Sequence, residues 1–133
     1  MLNWDEQYSV GVKELDDQHK SMVDYINQIE KARTEGDDRT TVVKILNGLV
    51  LYTKDHFALE ETYFKMFDYA KIDVHIQEHL SLIEQVEKLV YHFEIGKPPG
   101  LTEMMDFLKT WLIDHILGAD KEYMQCFSEN GLS

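Results

Sequence analysis

Four stretches of this chain carry apolar residues at alternating steps of four and three. That spacing is the inward stripe of a helix packed in a bundle. The first stripe reads Leu15, His19, Met22, Ile26, Ile29, and the second Val42, Leu46, Leu49, Thr53, His56, Glu60, Tyr63, Phe67. The third is Ile72, His75, His79, Leu82, Val86, Leu89, Phe93, and the fourth opens Leu101, Met104, Leu108, Trp111, His115. Breaks separate them: a polar arm up to about Leu15, Gly36-Asp37-Asp38, Asp68-Tyr69-Ala70-Lys71, and Pro98-Pro99-Gly100. Pro98 and Pro99 are the only prolines, and neither can sit inside a helix. The expected helices are therefore roughly 15–35, 40–67, 72–95 and 101–127. Connections this short make neighbours antiparallel. The predicted fold is all-α, an up-down-up-down antiparallel four-helix bundle with an N-terminal arm, forming one domain over residues 1–133.

The stripes are not purely apolar. Five of the six histidines, and Glu60, occupy inward positions, while His92 falls outside and reads as surface. His19 is early in the first helix, His56 and Glu60 late in the second, His75 and His79 early in the third, His115 late in the fourth. In an alternating bundle all those places lie at one end, so the histidines converge. The pairs His56/Glu60 and His75/His79 are each spaced i, i+4, which stacks two side chains a turn apart on one helix face.

Asp120 needs a separate argument. It follows His115 by five residues, and five residues of regular α-helix turn by roughly 500°, which would point the two side chains apart. A kink, a π-bulge or a turn near Gly118 would absorb one residue and bring Asp120 inward. The spacing therefore predicts an irregular fourth helix between His115 and Asp120.

Burying five imidazoles and two carboxylates without partners would cost on the order of several kcal/mol per group. Metal binding removes that penalty. If Glu60 and Asp120 each bridge two ions, the seven residues supply nine metal–ligand bonds and a bridging oxygen two more. Two octahedral ions then keep one open position, as a small exogenous ligand requires. Imidazole and carboxylate without thiolate suit iron, manganese or zinc, and the residues themselves leave that choice open.

Composition narrows the partners. Thirteen basic against 25 acidic residues give a net charge of −12, which disfavours nucleic acid and anionic membranes. One cysteine, Cys126, excludes an internal disulfide, a thiolate zinc site and an iron–sulfur cluster. The opening residues have neither a basic segment nor an apolar run, so no secretory signal is expected. No run approaches the length of a membrane span. The expected location is the cytoplasm, and charged outer faces favour a monomer.

The pattern His19, His56-xxx-Glu60, His75-xxx-His79 and His115-xxxx-Asp120 resembles the hemerythrin family, and within it the single-domain bacteriohemerythrins. Trp4 and the segment Leu15-Asp16-Asp17-Gln18-His19 resemble the family's entry into its first helix. The resemblance implies two iron ions, ferrous or ferric, bridged by an oxo or hydroxo group and by Glu60 and Asp120. It implies that one iron takes His75, His79 and His115 and is saturated. The other takes His19 and His56 and keeps the open position, where dioxygen binds reversibly. It further implies an apolar pocket around His115, to which Trp111, Leu112 and Ile116 correspond; all three also suit plain bundle core.

Met22, Met104 and Met105 read as core filler, as do most of Phe57, Tyr63, Phe64 and Phe67. Gln18, Glu78 and nearby tyrosines are candidates to accept hydrogen bonds from the ligand imidazoles. The expected function is oxygen storage, transport or delivery to a protein partner that the sequence does not identify, without enzymatic activity. The alternatives are an oxygen, redox or nitric oxide sensor and a di-iron oxidase or peroxidase. Oxidases of the ferritin-like type use Glu-x-x-His pairs, and this chain has none. A sensor would need a separate output partner, and nothing suggests a mineral cavity for iron storage.

Overall fold

A computed structural model describes all 133 residues. Its helices are α1 (Lys13–Thr34), α2 (Arg39–Met66), α3 (Ile72–Glu94), α4 (Leu101–His115) and α5 (Lys121–Glu129). A π-helical segment, Ile116–Asp120, joins α4 to α5, so the last two form one interrupted rod. The fold is thus a four-helix bundle without strands, as the stripes predict. Each helix has a local reason to stop. Gly36, at φ 75°, lets Asp37 N–H reach back to the Ala32 carbonyl at 2.9 Å and closes α1. Gly96, at φ 73°, does the same for α3 through Lys97 and His92 at 2.8 Å. Asp68 takes the left-handed position after α2, at φ 51°, a conformation that aspartate tolerates better than most side chains. Asp38 starts α2 by accepting the Thr41 N–H at 2.8 Å.

Cross-helix contacts establish the antiparallel order. Gln18 and Glu14 of α1 meet His56 and Tyr63 of α2, and His75 and His79 of α3 meet Phe64 and Phe57 of α2. Leu82 and Glu78 of α3 meet Trp111 and His115 of α4. Arg33 and His19 of α1 meet Met104 and Asp120. The N-terminal arm is tied down rather than free. Leu2 exchanges two hydrogen bonds with Asn27, at 2.9 and 2.8 Å, and Val10 and Val12 are buried in the core.

The stripes hold except at Tyr63, Phe67, Ile72 and Leu101. In α2 the inward residue after Glu60 is Phe64, fully buried, while Tyr63 and Phe67 are only half-buried and Tyr63 bonds Glu14 at the surface. A strict four-three repeat averages 3.5 residues per turn against the helix's 3.6, so over α2 the true seam drifts by a residue. Ile72 and Leu101, the first residues of their helices, are also only partly buried. Met22, Met104, Met105 and Phe57 lie in the core. No helix is long and apolar enough to cross a membrane.

Candidate metal centre

The seven residues that the spacing singles out come together at one end of the bundle. His19, His56, His75, His79 and His115 are 1–5% exposed, and Glu60 and Asp120 are fully buried. Asp120 is central. Its Oδ1 lies 3.0 Å from Nε2 of both His75 and His115, and its Oδ2 lies 3.1 Å from His19 Nε2. Glu60 Oε1 is 3.1 Å from His79 Nε2, and Oε2 is 3.5 Å from His56 Nε2. The π segment is what makes this possible. A π turn holds more residues than an α turn, so one residue is absorbed and Asp120 rotates onto the face that His115 occupies. Gly118 is not its cause: the backbone there is ordinary, and a Cβ at that position would meet nothing.

Side chains outside the cluster orient the imidazoles. Nδ1 of His56 bonds Gln18 Oε1 at 2.6 Å, Nδ1 of His79 bonds Glu61 Oε2 at 2.9 Å, and Nδ1 of His115 bonds Glu78 Oε1 at 2.7 Å. With Nδ1–H donated outward, each ring turns its Nε2 inward, and it is the neutral form of that arrangement that a metal ligand needs. Tyr123, fully buried on α5, donates its hydroxyl to Glu60 Oε2 at 2.6 Å. Gln18 and Glu78 are among the residues that the sequence suggests for this work; Glu61 and Tyr123 are not. Glu61 sits beside Glu60 on a different face of α2, and only the position of α3 shows that it meets His79. Tyr123 falls on Glu60 only through the phase shift of the π segment.

Protonation follows from burial and charge. Burial pulls His56 down to about 4, against the opposing pull of Glu60. Burial likewise holds His79 at about 4, although its bond to Glu61 acts the other way. His115 differs: burial lowers it too, but the charge and close approach of Asp120 and the bond to Glu78 outweigh that and push it up to about 10. Burial would raise Asp120, yet the charge of His115, the close approach of His115 and His19, and the bond from His75 hold it well below the usual carboxylate range. Burial, then the charges of Glu60 and Asp120, push Tyr123 well above its ordinary value, so its hydroxyl remains a donor.

The donor set fits a metal. Nε2 of His19, His56, His79 and His115 is in each case buried without an aligned hydrogen bond, as are Glu60 Oε1 and Asp120 Oδ2. Lone pairs that converge in a dry interior without partners are what a cation satisfies. Two overlapping groups can each hold an ion, Glu60, His75, His79, His115 and Asp120 in one, His19, His56, Glu60 and Asp120 in the other. Both carboxylates belong to both groups. Trp111, Leu112 and Ile116 are buried around His115, with Trp111 Nε1 donating to the Leu82 carbonyl at 3.0 Å.

Fold and site together define a helical-bundle protein with an interior histidine–carboxylate cluster suited to metal. The family profile described as Hemerythrin HHE cation binding domain matches residues 10–127. A bacteriohemerythrin from Clostridium acetobutylicum is 29% identical over 93% of this chain and 99% of its own. One from Methylococcus capsulatus is 30% identical over 96% of this chain and 98% of its own. A wild-type hemerythrin crystal structure superposes with a TM-score of 0.87 at 30% identity, covering 96% of this chain and 98% of that one. The chain belongs to the hemerythrin family.

Proposed function

We propose that this protein binds dioxygen reversibly, for storage, transport or delivery, at a non-haem di-iron centre held by His19, His56, Glu60, His75, His79, His115 and Asp120. The observation that carries the reading is the sharing of Glu60 and Asp120 between two unequal ligand groups. Three imidazoles complete one group and only two the other, so the side of His19 and His56 keeps room for an exogenous ligand. Bound iron supplies the electrons and the coordination site that reversible dioxygen binding requires. The protein does the rest. Gln18, Glu61 and Glu78 fix the tautomers of His56, His79 and His115. Tyr123 holds Glu60 in its orientation. Trp111, Leu112 and Ile116 line the site with apolar surface that keeps water and protons away from the ligand.

A binding protein is favoured over an enzyme because the chain carries no Glu-x-x-His pair of the kind that ferritin-like oxidases use. A monomeric state and a cytoplasmic location belong to the same proposal, supported by the acidic surface and by the single unpaired Cys126. The test is to load the protein with ferrous iron under anaerobic conditions, admit air, and follow the visible spectrum. A ligand-to-iron charge-transfer band that disappears on degassing is the expected result. Irreversible bleaching with turnover of an added reductant would point to an oxidase or peroxidase instead.

A further inference from the structure

Thr53 has no place in the scheme so far. It is fully buried on α2, and its hydroxyl has no hydrogen-bond partner. Hydroxyls inside helices usually bond the carbonyl one turn back, and others in this chain do so: Thr62 bonds the Ala58 carbonyl at 2.9 Å and Ser21 the Asp17 carbonyl at 3.2 Å. Thr53 turns away from that bond. It lies three residues before His56 on the same helix face, and helical side chains lean toward the N-terminus, so the His56 imidazole is laid back over the turn that carries Thr53. The ring of His19 stands edge-on to His56, with centroids 4.5 Å apart. Nδ1 of His19 likewise has no partner, and Nε2 of His56 has no aligned one. His19 thus differs from His56, His79 and His115, whose outward Nδ1 atoms are all bonded, and the unpaired Thr53 hydroxyl shares α2 with His56, a ligand on that same side with fewer protein ligands.

We propose that Thr53 is a ligand-binding residue: its hydroxyl donates a hydrogen bond to the small exogenous ligand held on the His19/His56 side. It thereby favours electron-rich ligands with a hydrogen-bond-accepting end, dioxygen and small anions among them. The inference rests on the reading of that side as open. A buried hydroxyl left unpaired destabilises the empty protein, and the ligand relieves it.

The test uses azide as an anionic accepting probe, titrated into the ferric iron-loaded chain and followed by visible absorption. Thr53→Val keeps the shape and removes the hydroxyl; Thr53→Ser keeps the hydroxyl. The azide Kd is expected to rise roughly tenfold in Thr53→Val and to return to within about twofold of the parent in Thr53→Ser. The metal-free Thr53→Val protein is expected to melt at or above the parent temperature, because no bond is lost. An unchanged azide Kd in Thr53→Val would overturn the proposal. So would a metal-free midpoint several degrees lower, since the hydroxyl would then be bonded within the protein. A parent protein that takes up iron but no azide overturns the open-side reading itself, and this inference with it.

Discussion

Tyr123 and Leu112 act on the centre from opposite directions, one through a hydrogen bond and the other by having none to offer. Tyr123 is fully buried, and its 2.6 Å bond is the hydrogen bond that Glu60 Oε2 accepts. Replacing it with phenylalanine leaves Glu60 Oε2 buried without a donor, which costs about 1–3 kcal/mol. The metal-free Tyr123→Phe protein should therefore unfold at lower urea concentration than the parent; an unchanged midpoint would mean that Glu60 finds another donor. Leu112 contributes only apolar surface beside His115. Leu112→Asn brings a polar group that recruits water, so decay of the oxygenated form should accelerate by roughly tenfold if the lost protection is on the order of 1–2 kcal/mol. Iron content should not change, because no ligand is touched. Decay of the oxygenated absorption band after stopped-flow mixing measures this directly. Equal decay rates would reduce Leu112 to bundle packing.

Among the elements, the π segment Ile116–Asp120 has the largest consequence per residue. It rotates Asp120 inward, and because α5 inherits the shifted phase it also sets Tyr123 over Glu60 and Phe127 against Phe64. Removing one residue should undo all three at once. Deletion of Gly118 restores an α-helical count and swings every later side chain by roughly 100° about the helix axis. The expected result is a chain with near-parental helical circular dichroism that no longer retains its full iron. Gly118→Ala should behave differently: the added methyl meets open space and alanine favours helix by about 1 kcal/mol, so iron content is kept and stability rises slightly. Retained iron in the deletion variant would show that Asp120 reaches the centre without the extra residue. The irregularity was legible because an aspartate five residues beyond an inward histidine is incompatible with a regular helix. Its form was not, since a kink, a bulge and a turn all repair the same phase error. The structure has a π turn, and beyond it α5 places Phe127 against Phe64.

For the whole molecule, seven polar side chains packed in one end of the bundle make stability depend on what occupies that end. A metal that binds only the folded chain stabilises it by RT ln(1 + [L]/Kd), about 4 kcal/mol at a thousandfold excess over Kd. Iron-loaded protein should thus melt well above metal-free protein in calorimetry, and coincident transitions would contradict a metal centre built into the fold. The metal-free protein should also show a stability dome in pH. His56 and His79 are held near 4 in the folded chain, against 6.5 for an ordinary histidine. As pH falls through that window the unfolded chain gains protons that the fold refuses, and stability drops. His115 is held near 10, so its contribution is complete below 6.5 and is lost as pH rises toward 10. Urea midpoints of chelated protein should therefore peak near neutrality, a little acid of pH 7; a midpoint that only climbs from pH 5 to pH 9 would reject this protonation scheme. The sequence by itself determined the bundle, the helix limits to within about two residues and the seven clustered residues, because helical periodicity and chain reversal act on local spacing alone. The tertiary structure alone decided which outward nitrogens meet Gln18, Glu61 and Glu78, that Phe64 rather than Tyr63 faces inward, and that Tyr123 bonds Glu60. Those contacts join residues far apart in the chain, and their partners depend on the rotation of one helix against another, an angle that no single helix's pattern contains.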